Sequence, residues 1–206
     1  TEVYYKWLNN TVDYKDGAET FGVPNIETEL VFGQGKAYGA EFLLEKTKGR
    51  FTGWLSYTLS RSLLQNDKVN AGDWYSARQD RIHDVSAVGI FEINRKLSFS
   101  ASWVYYTGDA VTFPSGKYYI DGDLVNLYTA RNADRMPEYH RLDLGLTWNI
   151  KDTKRYSNNL NFSVYNAYNR KNAYTITFDE NESGQTEATR LALFGVIPAV
   201  TWNFEF

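Results

Sequence analysis

Apolar and polar residues alternate with a period of two along most of the chain. From Phe194 to Phe206, one parity holds Phe194, Val196, Pro198, Val200, Trp202, Phe204 and Phe206. The other includes Gly195, Thr201, Asn203 and Glu205. Such a period belongs to an extended strand with one apolar face and one polar face. Leu142, Leu144, Leu146, Trp148 and Ile150 alternate in the same way with Arg141, Asp143, Gly145, Thr147 and Asn149. Leu97, Phe99, Ala101, Trp103 and Tyr105 alternate with Ser98, Ser100 and Ser102. Further stripes run through Tyr38–Leu44, Phe51–Leu59 (with Trp54 on the otherwise polar face) and Leu160–Val164. A weaker one covers Val85–Ile93 and a short one Val3–Trp7. The Leu160 strand is expected to resume after a polar kink at Tyr174, Ile176 and Phe178. The pattern predicts an all-β chain of about eight antiparallel strands.

The connections are predicted to alternate in length. Tight turns fall at Lys46–Arg50, Ile93–Lys96 and Lys151–Asn158, and long polar connections at Asp13–Lys36, Gln65–Arg81, Ser115–Arg135 and Asp179–Arg190. Short turns at one end and long loops at the other are the layout of an outer-membrane barrel. Lys46, Lys48, Arg50, Arg95, Lys96, Lys151, Lys154 and Arg155 crowd the short turns, which would then face the periplasm.

Composition sharpens this. Aromatic residues make up 17% of the 206, enriching the chain in types that favour a pleated surface. Several, including Trp7, Tyr57, Tyr105, Trp148 and Trp202, fall near strand ends, where a barrel carries its aromatic girdles. No apolar run approaches the ~18 residues of a membrane helix. A membrane strand needs only ~10 residues, every second one apolar, so low mean hydropathy does not exclude a barrel. A net charge of −3 with both signs scattered leaves no electrostatic footprint for nucleic acid. Thr1-Glu2-Val3 reads as a start within or beside a strand, consistent with either a mature terminus or a fragment.

The chain ends on Trp202, Phe204 and Phe206, which look like the C-terminal signal that outer-membrane barrels present to their assembly machinery. Gly39-Ala40-Glu41-Phe42, Ser56-Tyr57-Thr58-Leu59-Ser60, Asp80-Arg81-Ile82-His83-Asp84-Val85 and Phe113-Pro114-Ser115-Gly116 add to the likeness. So do Arg135-Met136-Pro137-Glu138-Tyr139-His140-Arg141-Leu142-Asp143 and Val164-Tyr165-Asn166-Ala167-Tyr168-Asn169. These segments resemble the last barrel strands of TonB-dependent outer-membrane receptors, in the style of the Bacteroidetes. The resemblance spans nearly all of residues 1–206 and implies the final part of a 22-stranded transmembrane barrel. Nothing resembles the plug domain, the TonB-contacting segment or the earlier strands. The implied partners are outer-membrane lipid, the rest of the same receptor, TonB acting through the plug, and the assembly machinery. A surface lipoprotein stays open.

In that register Lys6, Glu41, Glu45, Asp84, Glu92, Arg141, Asp143 and Glu205 are expected to face the lumen. They would seat a plug or guide substrate, or simply form a hydrated, salt-bridged wall. His83 and His140 beside Asp84 and Asp143 are of metal-ligating types but lack a tight ligand spacing, and are read as polar rim residues. Trp74, Tyr75, Tyr118, Tyr119, Tyr128, Arg131 and Arg135 are candidate ligand contacts on extracellular loops; the same residue types suit loops that pack on one another. No nucleophile–base pair, phosphate loop, dinucleotide fingerprint or zinc motif is present, so neither catalysis nor a cofactor is expected. The resemblance implies TonB-dependent active uptake of a scarce nutrient such as a siderophore, cofactor or oligosaccharide. Two rival readings stand beside it: a self-contained eight-stranded outer-membrane barrel (a small pore, adhesion or lipid-modifying protein), and a soluble carbohydrate-binding β-sandwich.

Overall fold

The computed structural model describes residues 1–18, 24–120, 123–128, 130–153, 156–181 and 186–206. Eight long strands form one antiparallel sheet: β1 (Glu2–Tyr14), β2 (Leu30–Lys46), β3 (Phe51–Gln65), β4 (His83–Asn94), β5 (Leu97–Tyr106), β6 (Tyr139–Thr153), β7 (Tyr156–Tyr165) and β8 (Ile197–Glu205). Each strand pairs with its sequence neighbours, and the order is β1 to β8 without a crossover. β1 and β8 do not pair, so the sheet is open at both edges. A two-residue ladder, Tyr75–Ser76, extends the loop end of β3.

The register puts the predicted parity onto two continuous faces. Along one row Phe51, Phe91, Phe99, Leu146, Phe162 and Val200 stand opposite one another across six strands. Leu44, Leu55, Ala87, Trp103 and Leu142 form a second such row. The opposite face carries rows such as Thr52, Ile90, Ser100, Gly145, Ser163 and Ala199. Three single-residue irregularities, in β1 between Asn9 and Thr11, in β4 before Asn94 and in β6 after Asn149, reset the parity locally. In β1 the extra residue is Asn10, with φ at 56°, a conformation Asn tolerates better than most. It turns Val12 and Tyr14 onto the apolar face, opposite Phe32 and Leu30.

The apolar face is bare. Val3, Phe32, Leu44, Val200 and Trp202 are all more than 60% exposed. Among the described residues the only buried apolar side chains are Val31, Val69, Tyr75, Ala77 and Ala110, all at the loop end. The sheet has no core of its own.

Several boundaries differ from the sequence reading. β1 runs through Tyr14 and β2 starts at Leu30, so the first long connection is residues 15–29. The last turn shrinks to residues 154–155, with Thr153 opposite Tyr156. The cations Lys154 and Arg155 of that turn lie outside the described residues. Tyr174, Ile176 and Phe178 do not continue β7. Thr175–Glu180 instead pairs with Thr186–Leu191 as a separate hairpin, and Gly116–Ile120 with Asp123–Leu127 as another. Alternation alone cannot separate a strand of the main sheet from one that pairs only locally.

The strand expected over Phe194–Phe206 begins at Ile197. Upstream of it, the Val196 N–H donates to Asn169 Oδ1 at 3.1 Å, which takes that backbone group out of the ladder.

Candidate functional site

Strand direction gathers all four long connections at one end of the sheet, and polar residues tie them together there. Asp80 is the most deeply buried carboxylate, its side chain fully enclosed. It accepts the backbone N–H of Ser62 at 2.6 Å, lies 3.2 Å from Arg61 Nε, and pairs with Arg135. Arg135 also donates to the carbonyl of Gly108 at 3.2 Å. Two guanidinium groups and a backbone amide are what an ionised carboxylate needs once water is removed.

A second junction centres on Arg131. Its guanidinium reaches Asp13 Oδ1 and Asp16 Oδ1, each at 3.1 Å, and its backbone N–H donates to Asn70 Oδ1 at 2.7 Å. Tyr75 donates its hydroxyl to Asp13 Oδ2 at 2.7 Å. Burial, then that hydrogen bond to a carboxylate, pushes the Tyr75 hydroxyl far above the ordinary phenol range.

The third junction joins β6 to β7. Arg141 bonds Asp143 Oδ2 through Nε at 2.9 Å and donates to the hydroxyls of Tyr139 and Tyr165 at 2.9 and 3.1 Å. Asp143 Oδ1 accepts the N–H of Asn166 at 2.9 Å. Asn166, buried and at φ 53°, then bonds both N–H and C=O of Arg170. Asn166 ends β7 by bending the chain into the αL region while replacing lost ladder bonds with its own amide.

Between these junctions lie three adjoining clefts. The first, about 490 Å³, is lined by Asp16, Asn70, Thr112, Tyr118, Tyr128 and Arg131. The second, about 390 Å³, shares Thr112 and Tyr128 with it and adds Arg78, Asp109, Phe113 and Phe178. The third, about 340 Å³, shares Asp109 and Tyr174 with the second and reaches Tyr106, Tyr139 and Tyr165 on the polar face. The result is an aromatic, polar-lined trough from the loop tips to the loop end of the polar face. Of the arginines in these linings, Arg131 is paired with Asp13 and Asp16, whereas Arg78 forms no ion pair with a described carboxylate. A trough of this kind can stack flat or ring-shaped groups and hydrogen-bond their edges.

The candidate loop contacts separate accordingly. Tyr118, Tyr128 and Arg131 line the first cleft, and Tyr119 is 74% exposed beside it in sequence. Tyr75 is buried against Asp13, and Arg135 is held by Asp80. Trp74 packs edge-on against Trp7 at 6.0 Å, under the ammonium of Lys36 at 4.0 Å. The last three therefore build the loop end instead of lining the trough. Lys6, Glu41, Glu45, Asp84, Glu92, Arg141, Asp143 and Glu205 share the polar face by register. Trp202 and Phe204 stand on the apolar face, where Phe204 contacts Tyr156 and Phe206.

His83 and His140 turn away from Asp84 and Asp143. They point to the apolar face, where each ring Nδ1 meets a tyrosine hydroxyl, Tyr57 at 2.9 Å and Tyr168 at 2.6 Å. Among the described residues no group of three or more His, Cys, Asp or Glu is disposed to hold a metal.

Sequence reasoning missed Asp13, Asp80, Asp109, Asn166, Tyr106 and Tyr165. Asp80, Tyr165 and Asn166 sit inside segments that carried the family resemblance, which is the one signal that could have flagged them.

Comparison with protein-family profiles, curated proteins and solved structures returns no match to this chain.

Proposed function

We propose that this chain is a stretch of transmembrane β-barrel wall from an outer-membrane receptor for active nutrient uptake, of the TonB-dependent kind. The observation that carries the reading is the bare apolar face that continues across all eight strands while the opposite face is polar. A water-soluble sheet covers such a face with helices or a second sheet. The described residues supply neither, and none of their helices is long and apolar enough to cross a membrane. Hydrocarbon is the cover that asks for no protein partner.

Two further features agree. The row through Tyr57, mid-strand in β3, reaches β6 at His140, its loop end, whereas the apolar run of β6 is Leu142–Trp148. The apolar band therefore runs obliquely to the hydrogen-bond rows. A band of constant height on strands tilted by ~40° has that property. The open edges favour a larger barrel over a closed eight-stranded one, because unpaired backbone groups in lipid require further strands. In this reading the trough is the extracellular ligand vestibule, the polar face is the lumen wall, and the chain performs no covalent chemistry.

The test is electrophoresis of the native polypeptide from outer membranes, boiled and unboiled. A heat-modifiable band far above 23.7 kDa is expected. A heat-modifiable band near that mass would make the chain a complete small barrel and end the uptake reading. A protein found only in the soluble fraction would end the membrane reading altogether.

A further inference from the structure

Charge is distributed unevenly between the two ends of the sheet. Residues 46–50, 95–96 and 151–155 hold eight of the 22 Lys and Arg but one carboxylate. The four long connections between these strands, residues 15–29, 66–82, 107–138 and 166–196, hold ten Lys and Arg against sixteen carboxylates. Pairing differs as well. The ion pairs at Lys15, Arg61, Arg81, Arg131, Arg135, Arg141 and Arg170 all lie toward the loop end. None of Lys46, Lys48, Arg50, Arg95, Lys96 and Lys151 forms an ion pair with a described carboxylate.

These free cations rim the apolar face. Lys46 lies opposite Gly53 in a row of that face, and Lys151 opposite Asn158, which pairs with Phe204. Arg50 sits 5.3 Å from the ring centre of Phe91, and Lys151 5.3 Å from that of Tyr156. Arg50 is also held by the carbonyls of Glu92 and Ile93. The carboxylate-bearing positions nearest this end, Glu45, Glu92, Asp152 and Glu205, all fall on the polar face by register. Among the described residues, the charged side chains on the apolar side of this end are cations, next to aromatic rings.

We infer that the turn-end rim of the apolar face, Lys46, Arg50 and Lys151 with Lys48, Arg95 and Lys96 in the turns, binds the anionic head groups of phospholipids in the leaflet it faces. The inference rests on the membrane reading and goes beyond it by assigning a lipid class to one leaflet. The geometry is suitable. Lys46 lies ten residues along β2 from Lys36, roughly 34 Å of strand, with the apolar run Tyr38, Ala40, Phe42 and Leu44 between them. At a tilt of ~40° this rises about 26 Å, close to the ~25 Å apolar band of such barrels. Lys46 would therefore sit at head-group depth, with its methylenes along the acyl chains and its ammonium among the phosphates. Long cationic side chains attract an anionic surface through a field that salt screens.

The test uses the full-length protein reconstituted in phosphatidylcholine vesicles containing brominated phosphatidylglycerol or, in parallel, brominated phosphatidylcholine. Trp148 and Trp202, on the apolar face near this rim and 45% and 66% exposed, report by bromine quenching. The anionic lipid is expected to be preferred severalfold at low salt, up to about fivefold for each engaged cation. The preference should vanish at 1 M salt and fall toward one in K46Q/K151Q. K68Q, in a long connection, should leave it intact. A ratio of one at low salt, or a ratio that K46Q/K151Q does not move, overturns the inference and leaves the membrane reading standing. Quenching by neither lipid overturns both.

Discussion

Asp80 shows how much of the loop end depends on single side chains. Its carboxylate is enclosed and serves Ser62, Arg61 and Arg135 at once. Arg61 and Arg135 keep contact with solvent, so the main cost of removing the carboxylate is the backbone N–H of Ser62 left without its acceptor, about 1–3 kcal/mol. Asp80→Ala is expected to expose residues 66–82 and 107–138 to protease while the sheet stays folded. Equal protease resistance in the variant and the parent would refute this role. A weaker, pH-linked contact joins Glu138 to Arg170 at 3.1 Å. A hydrogen bond to its own backbone N–H, then the Arg170 guanidinium, holds the Glu138 carboxyl below the usual range. Because the folded value is depressed, the contact is fully present above about pH 4.3, the ordinary glutamate value, and is lost as pH falls through the lowered one. The carboxyl is solvent-facing, so the effect is local: an NMR titration should find Glu138 depressed in the parent and less depressed, though still below the usual range, in Arg170→Gln.

Each strand is specified by parity, and its two parities tolerate different substitutions. Leu144 lies on the apolar face between Ala101 and Val164, whereas Thr147 lies on the polar face between Ser98 and Asn161. If lipid covers the first face, Leu144→Arg costs about 2–4 kcal/mol near mid-membrane and Thr147→Arg close to nothing. The heat-modifiable, folded fraction of each variant reads this directly, and equal loss in both would contradict the assignment of faces. Close approach between strands adds a second constraint. Gly53, at φ +152°, has no room for a Cβ, which would fall 2.0 Å from the carbonyl oxygen of Val88. Gly53→Ala should therefore disrupt the β3–β4 pairing at its turn end, seen as faster amide exchange in Gly89 and Ile90. These elements were largely legible in advance, because a period of two is local information. The two short hairpins were not, because local alternation does not say which sheet a strand will join.

As a whole the chain exposes 14301 Å². A compact monomer of 23.7 kDa would expose roughly 9,800 Å². The difference, on the order of 4,500 Å² of polar and apolar surface together, is what this open sheet leaves uncovered relative to a compact fold of the same mass. Together with two open sheet edges, it means that this stretch alone does not satisfy its own surface. If the proposed barrel-wall reading holds, the chain kept apart from lipid and further strands is expected to aggregate through its edges. Expression of residues 1–206 alone in the absence of detergent tests this. A stable monomer with sharp, dispersed amide resonances would argue for a soluble fold.

Sequence alone determined the all-β class, the main strands, the side most of their residues face and the segregation of long loops from short turns. All of these follow from residue parity and from turn composition within a few positions. Tertiary structure decided the rest. The loop-end network joins residues as far apart as Asp13 and Arg131, 118 positions from each other. No local pattern can say which of the 25 carboxylates meets which guanidinium. The oblique course of the apolar band depends on the register of all eight strands together, reset by one-residue irregularities at Asn10, Ile93 and Ile150. The placement of Trp74, Tyr75 and Arg135 as braces, with Tyr118, Tyr128 and Arg131 along the trough, turned on burial. Burial belongs to the assembled chain, because whether a side chain meets water depends on which distant segments pack over it.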